Sequence, residues 1–310
     1  MAYPIERKLV IAIASSALFD LSESDKIYKE KGVNEYRKFQ EKNVDKTLDK
    51  GVAFPFIRRF LNLNNIFPDK EPVEVILLSR NSPETGMRVF RSIQKHGLNI
   101  TRAGFFSGVS PYEYIPAFNA SLFLSANTED VNKAICAGHP AGRVIETRIT
   151  DDENDNELRI AFDFDGVIAD DSAETIYKKT KDLKKFHDSE TQLSLIPHNP
   201  GPLQDLFKKI SYFQKLETKK LSENSDYKRL LKISIVTARN APSHERMINT
   251  LKSWGVDIDE AFFLGGIEKK RVLEVMKPHM YFDDQTIHLE HIDKIPLVHI
   301  PFGIANIKNE

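Results

Sequence analysis

Residues Ile160-Ala161-Phe162-Asp163-Phe164-Asp165-Gly166-Val167-Ile168-Ala169-Asp170 carry an apolar strand straight into two carboxylates with a glycine behind them. Residues two apart on a strand project to the same side, so Asp163 and Asp165 face one site. Two like charges that close repel, and the pair persists only where something offsets them. A divalent cation with oxygen ligands does this, and Mg²⁺ is the common one. The run therefore predicts a metal-assisted site at the C-terminal edge of a sheet, with one carboxylate free to act as a nucleophile.

Working outward, short apolar runs recur at residues 9–14, 73–78, 103–106, 121–124, 158–162, 233–236, 261–264, 280–282 and 297–300. Most are continuous rather than alternating, as expected of strands covered on both faces. Amphipathic stretches such as 84–96 and 243–254 lie between them. This alternation predicts an α/β architecture with mainly parallel sheets. The acidic, polar run Thr150-Asp151-Asp152-Glu153-Asn154-Asp155-Asn156 reads as a linker.

The two sides of that linker resemble each other. Ile11-Ala12 pairs with Ile160-Ala161, Ile27-Tyr28-Lys29 with Ile176-Tyr177-Lys178, and Gly51 with Gly201. Arg80-Asn81-Ser82-Pro83 pairs with Arg239-Asn240-Ala241-Pro242. Gly97, Ile100, Ala103, Phe105 and Gly108 recur at one constant offset as Gly255, Ile258, Ala261, Phe263 and Gly266. The spacing predicts an internal duplication: a first half over 1–150 and a second over 157–310, with a small inserted cap over about 171–230. It also decides the reading of residues 9–19, which look like a short secretory signal. Their counterpart is the strand 158–163, so they are expected to be core.

Composition narrows the field. The chain has 310 residues, enough for two ordinary domains, and 41% of them are apolar. A net charge of −1 gives no general reason to expect a nucleic acid polymer or a membrane surface as partner. The single cysteine, Cys136, excludes an intrachain disulfide framework and fits a reducing cytoplasm.

Three further strand ends carry chemistry. Ile233-Ser-Ile-Val-Thr237-Ala238-Arg239-Asn240 ends a strand in a hydroxyl just before a helix start, where backbone N–H groups favour an anion. Phe263-Leu-Gly-Gly-Ile-Glu-Lys269 places a cation after a glycine turn. Met280-Tyr-Phe-Asp283-Asp284 ends a second strand in paired carboxylates that would complete an oxygen-rich metal site with Asp163 and Asp165. Each alone has a bland reading as a turn, a cap or a solvated helix start. Together, and in this order, they converge on one edge of a parallel sheet.

This ordered set resembles the haloacid dehalogenase (HAD) superfamily of phosphatases and phosphotransferases. The resemblance implies a HAD-like Rossmannoid fold, with Asp163 as nucleophile and Asp165 as general acid/base. It further implies that Thr237 holds the phosphoryl oxygens, that Lys269 neutralises charge, and that Asp283 or Asp284 completes the Mg²⁺ site. A narrower match covers nearly the whole chain. Residues 236–246 (Val-Thr-Ala-Arg-Asn-Ala-Pro-Ser-His-Glu-Arg), 259–266, 282–285, 124–127 and the closing Pro301-Phe-Gly-Ile-Ala-Asn306 are similar to the cytosolic type I 5'-nucleotidase family. That likeness implies a cytoplasmic, Mg²⁺-dependent phosphoric monoester hydrolase acting on nucleoside 5'-monophosphates. Phe164 departs from the family, which usually has a small residue between the two carboxylates.

Thr237, Ala238, Arg239 and Asn240 are the expected substrate contacts, and His244 could reach a ribose or base. Asn240 reads equally well as a helix cap and Arg239 as a structural ion-pair partner. Other readings of the same motifs are a sugar-phosphate phosphatase, a phosphotransferase, or a non-catalytic nucleotide-binding protein. The first half lacks the chemistry: Ala14 and Ser16 stand where Asp163 and Asp165 are expected to be duplicated, and Ser125-Ala126 where Asp283-Asp284 are. It is expected to be a structural or regulatory lobe. A residual anion site lined by Ser15, Ser16, Ser79 and Asn127 would make a nucleotide effector a second partner. A homo-oligomer is a further arrangement to test.

Overall fold

The computed structural model describes residues 3–68 and 70–307. The chain divides into two compact units, the first ending at Glu146 and the second starting at Thr147. In the first, strands β1 (Leu9–Ile13), β2 (Val73–Ser79), β3 (Arg102–Phe105), β4 (Ala120–Ser125) and β5 (Ala141–Ile145) stand in the order β3-β2-β1-β4-β5. In the second, β6 (Leu158–Phe162), β7 (Leu231–Thr237), β8 (Glu260–Phe263), β9 (Met280–Asp283) and β10 (Leu297–His299) stand in the order β8-β7-β6-β9-β10. Neighbours within each set run parallel. The fold is α/β, as the alternation of runs requires.

The central strands follow from their sequences. All of Leu-Val-Ile-Ala-Ile in β1 is buried, so residues 9–13 are the middle of a sheet. In β6 only Arg159 reaches the surface, and its guanidinium bonds Asp155 and Glu157 beside it. Phe162 stacks on Phe282 of β9 with ring centroids 4.9 Å apart. Each such ring contributes roughly 1.5–3 kcal/mol by leaving water. β5 was not anticipated, because Gly142 and Arg143 interrupt its short apolar run.

The two units repeat each other in backbone detail. Left-handed residues recur at one offset: Gly97 and Gly255, Ser107 and Gly265, Gly108 and Gly266, Asn119 and Lys277. Ala14 N–H donates to Leu124 O and Asp163 N–H to Phe282 O, each at 2.8 Å. Gly51 and Gly201 serve the same turn. A Cβ on Gly201 would stand 2.3 Å from Ala169 O, and one on Gly51 2.8 Å from Leu18 C. One pairing needs correction. Asn81 N–H bonds Ser79 Oγ as Arg239 N–H bonds Thr237 Oγ1, so Asn81, not Arg80, is the spatial counterpart of Arg239.

The expected cap over 171–230 contains helices Ser172–Thr180, Leu183–Gln192 and Gln204–Glu223. The third is not a cap. Its Leu206, Phe207, Ile210 and Phe213 are buried, and Phe207 sets its edge on Phe162 at 5.3 Å. With no strand between 170 and 230 to mark a boundary, sequence alone ran the insertion on to β7. The first unit also has a helical segment, Ser22–Lys42, after its first strand. Phe207→Ala should therefore cost the second unit about 3–5 kcal/mol, read from denaturant unfolding. A cost below about 1 kcal/mol would return this helix to the cap.

Candidate active site

Parallel strands bring the ends of β6, β7 and β9 to one edge, and with them the residues that follow. Asp163 comes directly after β6, Thr237 closes β7, and Asp283 closes β9. Lys269 opens the helix Lys269–Met276 that follows β8. All four are buried. The Lys269 ammonium lies 2.6 Å from Asp163 Oδ2 and 2.7 Å from Asp283 Oδ2, bridging the two strand ends. Asp163 Oδ1 accepts from Phe164 N–H at 2.7 Å.

The adjacent carboxylates Asp283 and Asp284 stand in opposite circumstances. Asp283 is surrounded by donors. Lys269 and the Tyr281 hydroxyl bond Oδ2, while Gln285 N–H (2.8 Å) and His288 Nδ1 (3.2 Å) meet Oδ1. Burial opposes its ionisation, yet Lys269 and His288 outweigh burial and hold it below the usual carboxylate range. Asp284 is buried, and neither side-chain oxygen has a hydrogen-bond partner among the described residues. Burial first, then Asp163, Asp283 and Glu174, push it up to about 10. Asp163 is also raised, chiefly by burial and by its acidic neighbours, against the pull of Lys269. Gly166 explains how Asp284 fits. Its φ is +71°, and a Cβ there would stand 2.6 Å from the Asp284 carboxylate. Only glycine satisfies both conditions.

Arg239 is engaged from every side. Nε and Nη2 donate to the two oxygens of Asp165, each at 2.7 Å. Nη1 donates to Glu190 Oε2 and to Ser243 O, and Nη2 also to His198 Nε2 at 3.1 Å. Its plane lies over Phe164 and Phe186. The ion-pair reading of Arg239 thus describes its contacts. Of the four carboxylates expected to hold a metal, Asp163, Asp165 and Asp283 each have both oxygens bonded by protein donors. Asp284 has neither occupied.

A cavity of about 400 Å³ opens beside these groups, lined by Asp163, Asp165, Thr237, Ala238, Arg239 and Asn240. Glu174, Tyr177, Lys178, Lys181, Leu183 and Phe186 close it from helices Ser172–Thr180 and Leu183–Gln192 and the turn between them. Tyr177 is 42% exposed, unlike a packed core ring. Thr237 Oγ1 accepts from Arg239 N–H at 3.2 Å, which orients the turn after β7. Asn240 does not cap the next helix, whose first turn follows Ser243. His244 packs against Phe263 and is not among the lining residues. Sequence reasoning missed His288, Glu174 and Glu190, since a lone polar residue in a polar segment carries no pattern, and Tyr281, which reads as one more apolar residue of the buried strand β9.

In the first unit the equivalent positions hold no acidic group. Ser15 and Ser79 bond each other at 2.8 Å, and Arg80 pairs with Asp130 and Glu129.

The sequence model of the 5'-nucleotidase family matches residues 1–307. The chain is 31% identical over 293 residues to cytosolic 5'-nucleotidase 1B of Homo sapiens, covering 93% of this chain and 47% of that protein. It thus spans about half the length of the curated relative it matches. No solved structure matches the chain. Among the described residues no helix is long and apolar enough to cross a membrane. With carboxylate-bearing strand ends on a parallel α/β sheet and a family match over almost its whole length, the chain belongs to the 5'-nucleotidase family.

Proposed function

We propose that this chain hydrolyses nucleoside 5'-monophosphates to nucleoside and phosphate through a phosphorylated Asp163, and that it requires Mg²⁺. The carrying observation is a buried Asp163 held against Lys269 and within electrostatic reach of Asp284, whose side-chain oxygens are unpartnered among the described residues. Four carboxylates, Asp163, Asp165, Asp283 and Asp284, face two cations, Lys269 and Arg239, which suits a divalent ion. Asp284 would hold it, together with Asp163, whose oxygens each accept one protein donor and keep further acceptor capacity. Bound there, it would offset charge on the phosphoryl oxygens and on the two carboxylates that burial disfavours.

The residues then divide the work. Asp163 attacks phosphorus in line, forming an acyl phosphate as the 5'-oxygen leaves. Asp165 protonates that oxygen, then takes a proton from the water that cleaves the acyl phosphate. Lys269, the Thr237 hydroxyl and the Ala238 N–H hold the phosphoryl oxygens, where most of the rate enhancement arises. The cavity wall of Tyr177, Leu183 and Phe186 receives the nucleoside. The name of the human relative places that protein in the cytosol. A chain with one cysteine suits the same reducing compartment.

Phosphate release from a panel of nucleotides and sugar phosphates tests the substrate class. Activity should centre on nucleoside 5'-monophosphates, vanish with chelator, return with Mg²⁺, and fall at least about 10³-fold in Asp163→Asn. Hydrolysis of sugar phosphates alone would contradict the substrate assignment.

The buried carboxyls give a second test. The folded state holds Asp284 protonated up to about pH 10. In the unfolded chain it ionises near pH 4, so without a cation stability falls as pH rises between those values. In chelator, Asp284→Asn should therefore melt above the wild type at pH 7, with the difference closing towards pH 4. Mg²⁺ should raise the melting temperature of the wild type and leave the variant unmoved. A variant less stable than the wild type in chelator at pH 7 would count against this electrostatic account.

A further inference from the structure

Asp165 is held by a residue that is itself held from the inserted helices. Arg239 has five N–H groups. They are spread over Asp165, Glu190, Ser243 and His198. Glu190 lies on the helix Leu183–Gln192, and its side chain is fully buried. Its second oxygen bonds Arg246 Nη1 at 2.8 Å, on the helix His244–Ser253 after β7. Phe186, one turn before Glu190, supplies a ring against the guanidinium 5.7 Å away. One short helix thus presents both an anion and an aromatic face to Arg239. A buried, hydrogen-bonded carboxylate between two arginines contributes little net stability compared with a well-packed apolar residue. What it does specify is the position of the guanidinium.

We infer that Glu190 is a positioning residue for Asp165, acting through Arg239 to fix that carboxylate at the cavity edge. The inference rests on the role of Asp165 given above. Glu190 touches neither the cavity nor the strand-end cluster, so it is not a catalytic residue. Without its charge, the Nη1 edge of Arg239 and the buried Arg246 lose their shared anion. The guanidinium is then free to tilt about Asp165, and the carboxylate moves with it. Proton transfer to the 5'-oxygen and from the attacking water depends on that placement, whereas binding of the phosphate group does not.

The test compares Glu190→Gln, Glu190→Asp and Asp165→Asn, each with its kcat, its KM and its inhibition by vanadate. The substrate is the best one in the phosphate-release panel, assayed in Mg²⁺. For Glu190→Gln, kcat should fall about 10- to 100-fold, while KM and the vanadate inhibition constant stay within about threefold of wild type. Glu190→Asp keeps the charge and should fall between the two, which also covers a Gln variant that does not fold. A kcat within about twofold of wild type in both Glu190 variants would overturn the inference. So would a loss shared equally by kcat, KM and vanadate inhibition, the mark of general structural damage. If instead Asp165→Asn keeps its kcat, the role of Asp165 itself is wrong, and the failure lies in the parent reading.

Discussion

The Lys269 ammonium between Asp163 and Asp283 is the contact on which the rest of the site depends. Two carboxylates buried at neighbouring strand ends repel, and burial disfavours the charge on each. One lysine satisfies an oxygen of each at 2.6 and 2.7 Å. Burial works against its charge, but the two acids outweigh that and keep it charged. The arrangement leaves an asymmetry. The Asp283 carboxylate receives four donors, while that of Asp284, next in sequence, receives none among the described residues. An anchored carboxylate and an open one therefore sit side by side. The open one is suited to a ligand from outside the chain.

The helices over the strand ends add a second level. They wall the cavity with Tyr177, Leu183 and Phe186, and they reach inward with Glu190 to clamp Arg239. The same short segment thus lines the cavity and, through Arg239, is linked to one of the two motif carboxylates. Backbone atoms also take part at the closing motif. His299 Nε2 and Asn306 Nδ2 both meet Asp284 O, at 3.0 and 2.9 Å. Asp171 accepts from Ile304 N–H at 2.6 Å and leaves no room for a Cβ on Gly303. The turn after residue 300 therefore braces the strand end that carries the open carboxylate.

Much of this was legible in the sequence for a physical reason. Strands covered on both faces are continuous apolar runs, and a charge at their end stands out. Asp163 and Asp283 could be read that way, Thr237 as the hydroxyl ending β7 and Lys269 as the cation after a glycine turn, and parallel topology brought them to one edge. The division of labour between Asp283 and Asp284 could not, because only their contacts separate two adjacent identical residues. Glu190 was hidden in Leu-Lys-Lys-Phe-His-Asp-Ser-Glu-Thr-Gln, a helix that reads as solvated. The helix Gln204–Glu223 was drawn into the cap because its polar C-terminal half masked its buried phenylalanines. The duplication was visible at glycines and turns. Its register at Arg239 was not, because the Arg-Asn identity is one residue out of step with the hydroxyl-to-amide contact that fixes the turn.

The most direct test of the central claim is to trap the covalent step. Rapid quench of the protein during turnover of a 5'-phosphate-labelled nucleoside monophosphate, followed by borohydride reduction, converts an acyl-phosphorylated aspartate to homoserine. Peptide mass spectrometry then locates it. The account predicts homoserine at position 163, dependent on Mg²⁺ and on substrate. Homoserine at another aspartate, or none while phosphate is being released, would contradict it.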